Sequence, residues 1–155
     1  MKKILLSLLF CTIAVSAFSQ EIFNEVKNLK NQVEATMNDT TLNIEIRKIA
    51  CFKNDALYYL IDKAGNDNAF TEYDLGLQAN AMIDFVNQYV KRLSEQRKKQ
   101  DKELIMAKYK TATIQNSLFN DMEKEIVYGY VDNDNFITQF SLDTDWVKAL
   151  EEIKK

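Results

Sequence analysis

The chain has no histidine and no proline, and only three glycines and two cysteines among its 155 residues. Each shortage removes a class of function or of fold. Without histidine there is no Ser-His or Cys-His catalysis, and none of the usual histidine-containing zinc or non-haem iron sites. Cys11 and Cys51 form no CxxC, which removes thioredoxin-like redox chemistry and cysteine-bound zinc. No GxGxxG or GxxxxGK[ST] run occurs, so no nucleotide-binding loop has a motif behind it. An enzyme built from this chain would work with Asp, Glu, Lys, Tyr, Ser, Thr or Cys51 alone. With Gly65, Gly76 and Gly129 as its only glycines, the chain also lacks the turn residues that a β-rich domain uses. The expected fold class is therefore mainly α.

What is present begins with an address. Lys2 and Lys3 precede an apolar stretch over residues 4–15, and the small residues Ala17 and Ser19 follow. That order is expected of a secretory signal peptide over residues 1–19. The apolar core holds about a dozen residues where a membrane span needs about twenty. Phe10 precedes Cys11 and more apolar sequence follows, which does not suit a lipoprotein cysteine. The expected domain is residues 20–155, a single unit long enough to bury a core. Two of the 20 basic residues leave with the signal, so 18 remain against 23 acidic ones, a net charge of −5. Such a balance argues against nucleic acid and anionic lipid as partners. Cys51 is then the remaining thiol, so no intramolecular disulfide is expected. Free cysteine is usually buried, but an exposed Cys51 could link two chains into a homodimer.

Apolar spacing places the helices. Ile22, Val26, Leu29 and Val33 lie on one helical face, and MNDTT ends that helix. A second helix is expected over about residues 42–64, with a stripe of Ile46, Ile49, Leu57 and Leu60 and with Gly65 as its stop. Thr71 and Asp74 resemble a capping box opening a third helix. Leu75, Ala79, Met82, Val86, Tyr89 and Leu93 share one face of it, widened by Ile83, Phe85 and Val90. Leu104, Ala107, Thr111, Ile114 and Leu118 continue in nearly the same phase beyond SEQRKKQDKE. One helix across this stretch would run to roughly 70 Å. The spacing alone leaves that open against a hairpin turning near residues 99–101, with Asp101 as N-cap. Base rates of helix length favour the break. The whole reads as a small antiparallel helical bundle with an irregular C-terminal segment. Asn120 or Asp121 would cap a short helix carrying Ile126, Val127 and Tyr130, and FITQF at 136–140 would be extended.

SLDTDW at 141–146 contains two aspartates and the sole tryptophan. It could be an acid pair beside an aromatic platform, but every residue also has a structural role. Asp143 would be the N-cap of a helix starting near Thr144, with Leu142 and Val147 as a hydrophobic staple. Asp145 would sit where the helix dipole favours negative charge, and Trp146 would lock the tail onto the bundle.

Other candidate sites follow from residue type. An EF-hand loop starting at Asp132 fits at Asp134 but meets Phe136 at the fifth position; one starting at Asp143 meets Val147 there. A looser calcium site at Asp132, Asp134 and Asn135 stays open. A glycosidase needs two carboxyls facing each other across a cleft; no pair stands out among the 23 acidic residues, and a cleft would have to join distant acids such as Glu123 and Asp145. Tyr58, Tyr59, Tyr128 and Tyr130 are candidate groove-lining residues, or core edges. The basic run of Lys91, Arg92, Arg97, Lys98, Lys99 and Lys102 could meet a polyanion, or be a solvated face.

The signal ending AFSQ, FND at 119–121 and FITQFSLDTDWVKAL at 136–150 together resemble small secreted proteins of Bacteroidetes-type bacteria. The resemblance implies a periplasmic or secreted location in a bacterium and no particular activity. Asp39-Thr40-Thr41 also resembles the O-glycosylation motif of such bacteria, which would place a glycan on Thr40.

The sequence thus leads to an exported, non-catalytic interaction module that binds an envelope protein or a glycan, with no cofactor expected. A small carboxylate-dependent hydrolase and a calcium-stabilised binding protein are the rival expectations.

Overall fold

The computed structural model describes residues 21–67, 69–121, 131–132, 135–136 and 139–154. The expected signal peptide, the short helix proposed after Asp121, and Tyr128, Tyr130 and Glu123 all lie outside the described residues. Among the described residues, five helices form a bundle. These are α1 over residues 21–38, α2 (Ile44–Asn66), α3 (Glu72–Glu95), α4 (Lys99–Gln115) and α5 (Trp146–Lys154). A two-stranded ladder of β1 (Val131–Asp132) and β2 (Asn135–Phe136) lies between α4 and α5, pairing Val131 with Phe136 and Asp132 with Asn135. Residues 139–145 follow as irregular chain.

Each helix start has a local cause. Asn43 caps α2 by accepting the backbone N–H of Glu45. Thr71 and Asp74 make a complete capping box at α3. The Thr71 hydroxyl accepts the Asp74 N–H at 3.1 Å, and the Asp74 carboxylate accepts the Thr71 N–H at 2.9 Å. The stretch from 72 to 115 is two helices rather than one. The chain turns over residues 96–98, with Lys98 as an N-cap that makes no side-chain hydrogen bond. Asp101 is therefore not the cap; it lies in the first turn of α4, where the helix dipole favours it. Gly65 does not stop α2, which runs one residue further and ends at Asp67 in extended conformation. Asp67 serves the stop instead, by donating its N–H to the Lys63 carbonyl and accepting the Ala69 N–H on its side chain.

The core draws on all five helices and is rich in rings. Trp146 stands edge-on to Phe52 and Phe85, at 6.0 and 5.5 Å between centroids. Phe140 packs on Phe52, Phe85 and Tyr89, and Tyr109 on Phe85 and Tyr89. At Gly76 an added Cβ would stand 2.8 Å from the Ile22 side chain, so the missing side chain lets α1 approach α3.

Two faces differ from expectation. In α4 the buried residues are Tyr109, Ala112 and Thr113, while Leu104 and Ile114 of the expected stripe are exposed. The turn at 96–98 resets the helical phase, so a stripe carried over from α3 points outward. In α2 the core takes Ala50, Phe52, Ala56, Leu57 and Leu60, and Ile46 is half exposed. Cys51 is partly covered, and burial, then the nearby Asp55, raises its thiol pKa. A thiol so shifted is a poor nucleophile.

Candidate functional site

The two aspartates of SLDTDW do separate jobs, and neither is quite the expected one. Asp143 is fully buried and is not the N-cap of α5. Its carboxylate instead collects the chain that leaves α4. One oxygen accepts the N–H groups of Leu118 and Phe119 at 3.1 and 2.7 Å. The other accepts the Ser117 hydroxyl at 2.5 Å and the Asp121 N–H at 3.0 Å. A buried carboxylate needs such donors, since desolvation without them is costly. Asn120, at φ 53°, takes the left-handed conformation that lets the loop close around it.

Asp145 is the true cap, two residues later than expected. It accepts the Lys148 N–H at 3.2 Å and pairs with the Lys148 ammonium at 2.8 Å. With Asp145 as cap, the staple positions fall on Thr144 and Ala149 rather than on Leu142 and Val147. The buried Gln78 of α3 completes the arrangement. Its amide donates to Asp145 at 3.0 Å, and its carbonyl accepts the Trp146 N–H at 2.7 Å. Burial opposes ionisation of Asp145, but the hydrogen bonds from Lys148 and Gln78 and the Lys148 charge outweigh it and hold the carboxyl below the usual range. A carboxyl held ionised in this way is a poor general acid. At the far end of α5 the Ile153 carbonyl accepts from Arg92 and Lys108. The segment is a clasp, tied at both ends to α3 and α4.

The candidate tyrosines do not form a groove with one another among the described residues. Tyr58 is exposed on α2. Tyr59 is half-buried beside the clasp, where its hydroxyl donates to Asp121 at 3.2 Å and its ring meets Phe119 edge-on. Burial, and then the carboxylates of Asp143 and Asp121, push its pKa far above the ordinary phenol range. Lys63 pairs with the same Asp121 at 2.8 Å. Asp132 and Asn135 face each other as partners in the small ladder, and Asp134 lies outside the described residues. Among the described residues, no three His, Cys, Asp or Glu side chains gather in a way that could hold a metal ion. Thr40 is exposed in the loop between α1 and α2, where Asp39 accepts the N–H of Thr41.

The site with room for a ligand is elsewhere. A groove of about 980 Å³ opens between α2 and α3, bounded by the end of α1 and the start of α4. Ile46, Ile49 and Ala50 of α2, Val90 and Leu93 of α3, Val33 of α1 and Met106 of α4 give it an apolar lining. Lys53, Lys91 and Lys102 reach it from three helices, against one acid, Glu45. Lys53 donates to Asn87 at 2.7 Å, and burial lowers its pKa. Among the described residues, none of these three lysines pairs with a carboxylate. The basic run read from the sequence therefore divides. Arg92 holds the Ile153 carbonyl and Lys99 lies 3.7 Å from Glu103, while Lys91 and Lys102 line the groove. Sequence reading missed this site because it assigned Ile46 and Val90 to the core. The usable signal was an apolar arc on α2 and α3 wider than their helical neighbours cover.

No family model, curated protein or solved structure matches the chain in comparison with known proteins. Among the described residues no helix is long and apolar enough to cross a membrane.

Proposed function

We propose that the protein is an exported, non-catalytic interaction module of the bacterial envelope, and that its partner docks in the groove between α2 and α3. The observation that carries this reading is the half-exposed Ile46, which sits with Val90 in a concave apolar lining that none of the described helices covers. Contiguous exposed apolar surface marks interaction sites more often than isolated residues do. The apolar lining favours a protein over a glycan, whose hydroxyls would need more hydrogen-bonding partners than this groove supplies. Export rests on the reading of residues 1–19 as a signal peptide.

A photo-reactive amino acid at position 46 of the chain, produced in a bacterial host that exports it, tests this. The control carries it at position 104, which is exposed on α4 outside the groove. The expected result is an envelope protein captured through position 46 and not 104, whose binding to the purified chain is lost in Ile46→Asp. Equal capture at both positions, or a partner indifferent to Ile46→Asp, removes the groove from the reading. Capture of another copy of the chain alone replaces it with self-assembly.

A further inference from the structure

The shape and charge of the groove say what kind of segment fits it. Its α2 wall runs from Glu45 to Lys53, about 12 Å at 1.5 Å per residue. Ile46 and Val90 stay half exposed along it, so it is open lengthwise. Small-molecule sites bury most of their ligand's surface, which an open trough does not do. A helix laid in the trough can bury its apolar face and leave its polar face in water. Charge selects further. The whole chain is acidic, with a net charge of −3, yet the groove holds three lysines against one glutamate. A second copy related by a two-fold axis would set this lysine-rich patch against itself, which like-charge repulsion disfavours.

We propose that the groove binds an amphipathic helical segment of a partner protein, about two turns of it, apolar on the entering face and lined with Asp or Glu along its flanks. Ile46, Ile49 and Val90 receive apolar side chains spaced i, i+3 or i+4, and i+7. Lys91 and Lys102 meet the acidic flanks, and Lys53 stands at one end. This rests on the protein-binding reading above and adds the chemistry of the partner.

The test is selection of displayed peptides about 14 residues long, roughly four helical turns, on the purified wild-type protein. Binders that also hold Ile46→Asp are discarded. Ile46 is half exposed, so that variant should fold, and circular dichroism checks it; Leu104→Asp is the matched control. The expected winners carry the helical apolar period with acidic flanks, and they weaken as salt rises. Lys91→Glu with Lys102→Glu should weaken them about tenfold or more. Winners that are basic, or that lack the helical period, overturn the proposal, as does a selection with no Ile46-dependent winner. A fluorescent long-chain carboxylate that fills the groove more tightly than any peptide also overturns it, in favour of a small amphiphile. Should the partner captured through position 46 bind by a segment that is not an acidic helix, this inference fails while the protein-binding reading stands.

Discussion

At the scale of single residues, Asp143 and Asp145 look equivalent in sequence and differ widely in surroundings. Asp143 satisfies three backbone N–H groups and a hydroxyl in a site closed to water. Removing it orphans several buried donors at once, so Asp143→Ala is expected to cost about 3 kcal/mol or more. Asp145→Ala removes a helix cap and is expected to cost about 0.5–2 kcal/mol. Urea unfolding of both variants measures the contrast, and equal costs would contradict the roles assigned here. The Asp145 carboxyl has a folded-state pKa below its ordinary 3.8. Its charge therefore contributes stability that is fully present above the unfolded pKa and is lost as the pH falls through the folded one. The stability gap between wild type and Asp145→Asn, which keeps a capping side chain, should be constant above about pH 5 and close below about pH 4. A gap that widens on acidification would reverse the assignment.

At the scale of elements, the two described glycines of the bundle predict opposite outcomes. Gly65 lies inside α2, and nothing stands within 4 Å of an added Cβ. Gly65→Ala should therefore stabilise by about 0.5–1 kcal/mol through helix propensity. At Gly76 the added methyl meets Ile22, so Gly76→Ala should lower the melting temperature by pushing α1 off α3. Thermal melts of the two variants decide it; a rise in both would mean that the α1–α3 contact yields freely. Elements were legible in the sequence where the cause is local. The capping box of Thr71 and Asp74 and the stripe from Leu75 to Tyr89 could be read directly, because cap and period lie within a few turns. The face of α4 could not, since it depends on a turn at 96–98 marked by neither glycine nor proline. The register of SLDTDW could not either. Which aspartate caps α5 is decided by Gln78, 67 residues away from Asp145. The groove was hidden for a related reason: Ile46 and Leu57 are alike as residues, and only the placement of α1 and α4 leaves one of them uncovered.

At the scale of the whole molecule, stability concentrates where α5 meets α2 and α3. Trp146 is fully buried among Phe52 and Phe85. Trp146→Ala should cost about 3–5 kcal/mol, a large share of the 5–15 kcal/mol typical of a domain. Trp146→Phe keeps a ring and should cost less. Denaturant curves of the two variants check the order. A Trp146→Ala protein as stable as wild type would mean that the bundle stands without its last helix.

The clasp also bears on the order of events when the chain is made. Its hydrogen bonds join Gln78 to Asp145 and Arg92 to Ile153, partners 67 and 61 positions apart. Helical bundles usually fold on local contacts, and long-range closure slows folding. Here the ring that fills the core and the carboxylate that gathers the loop after α4 both follow the four helices they join in chain order. A ribosome delivers Asp143 and Trp146 only after those helices. The emerging polypeptide can form its first helices early, yet the residues that seal them together arrive later, so those helices stay loose and threadable until Trp146 has emerged.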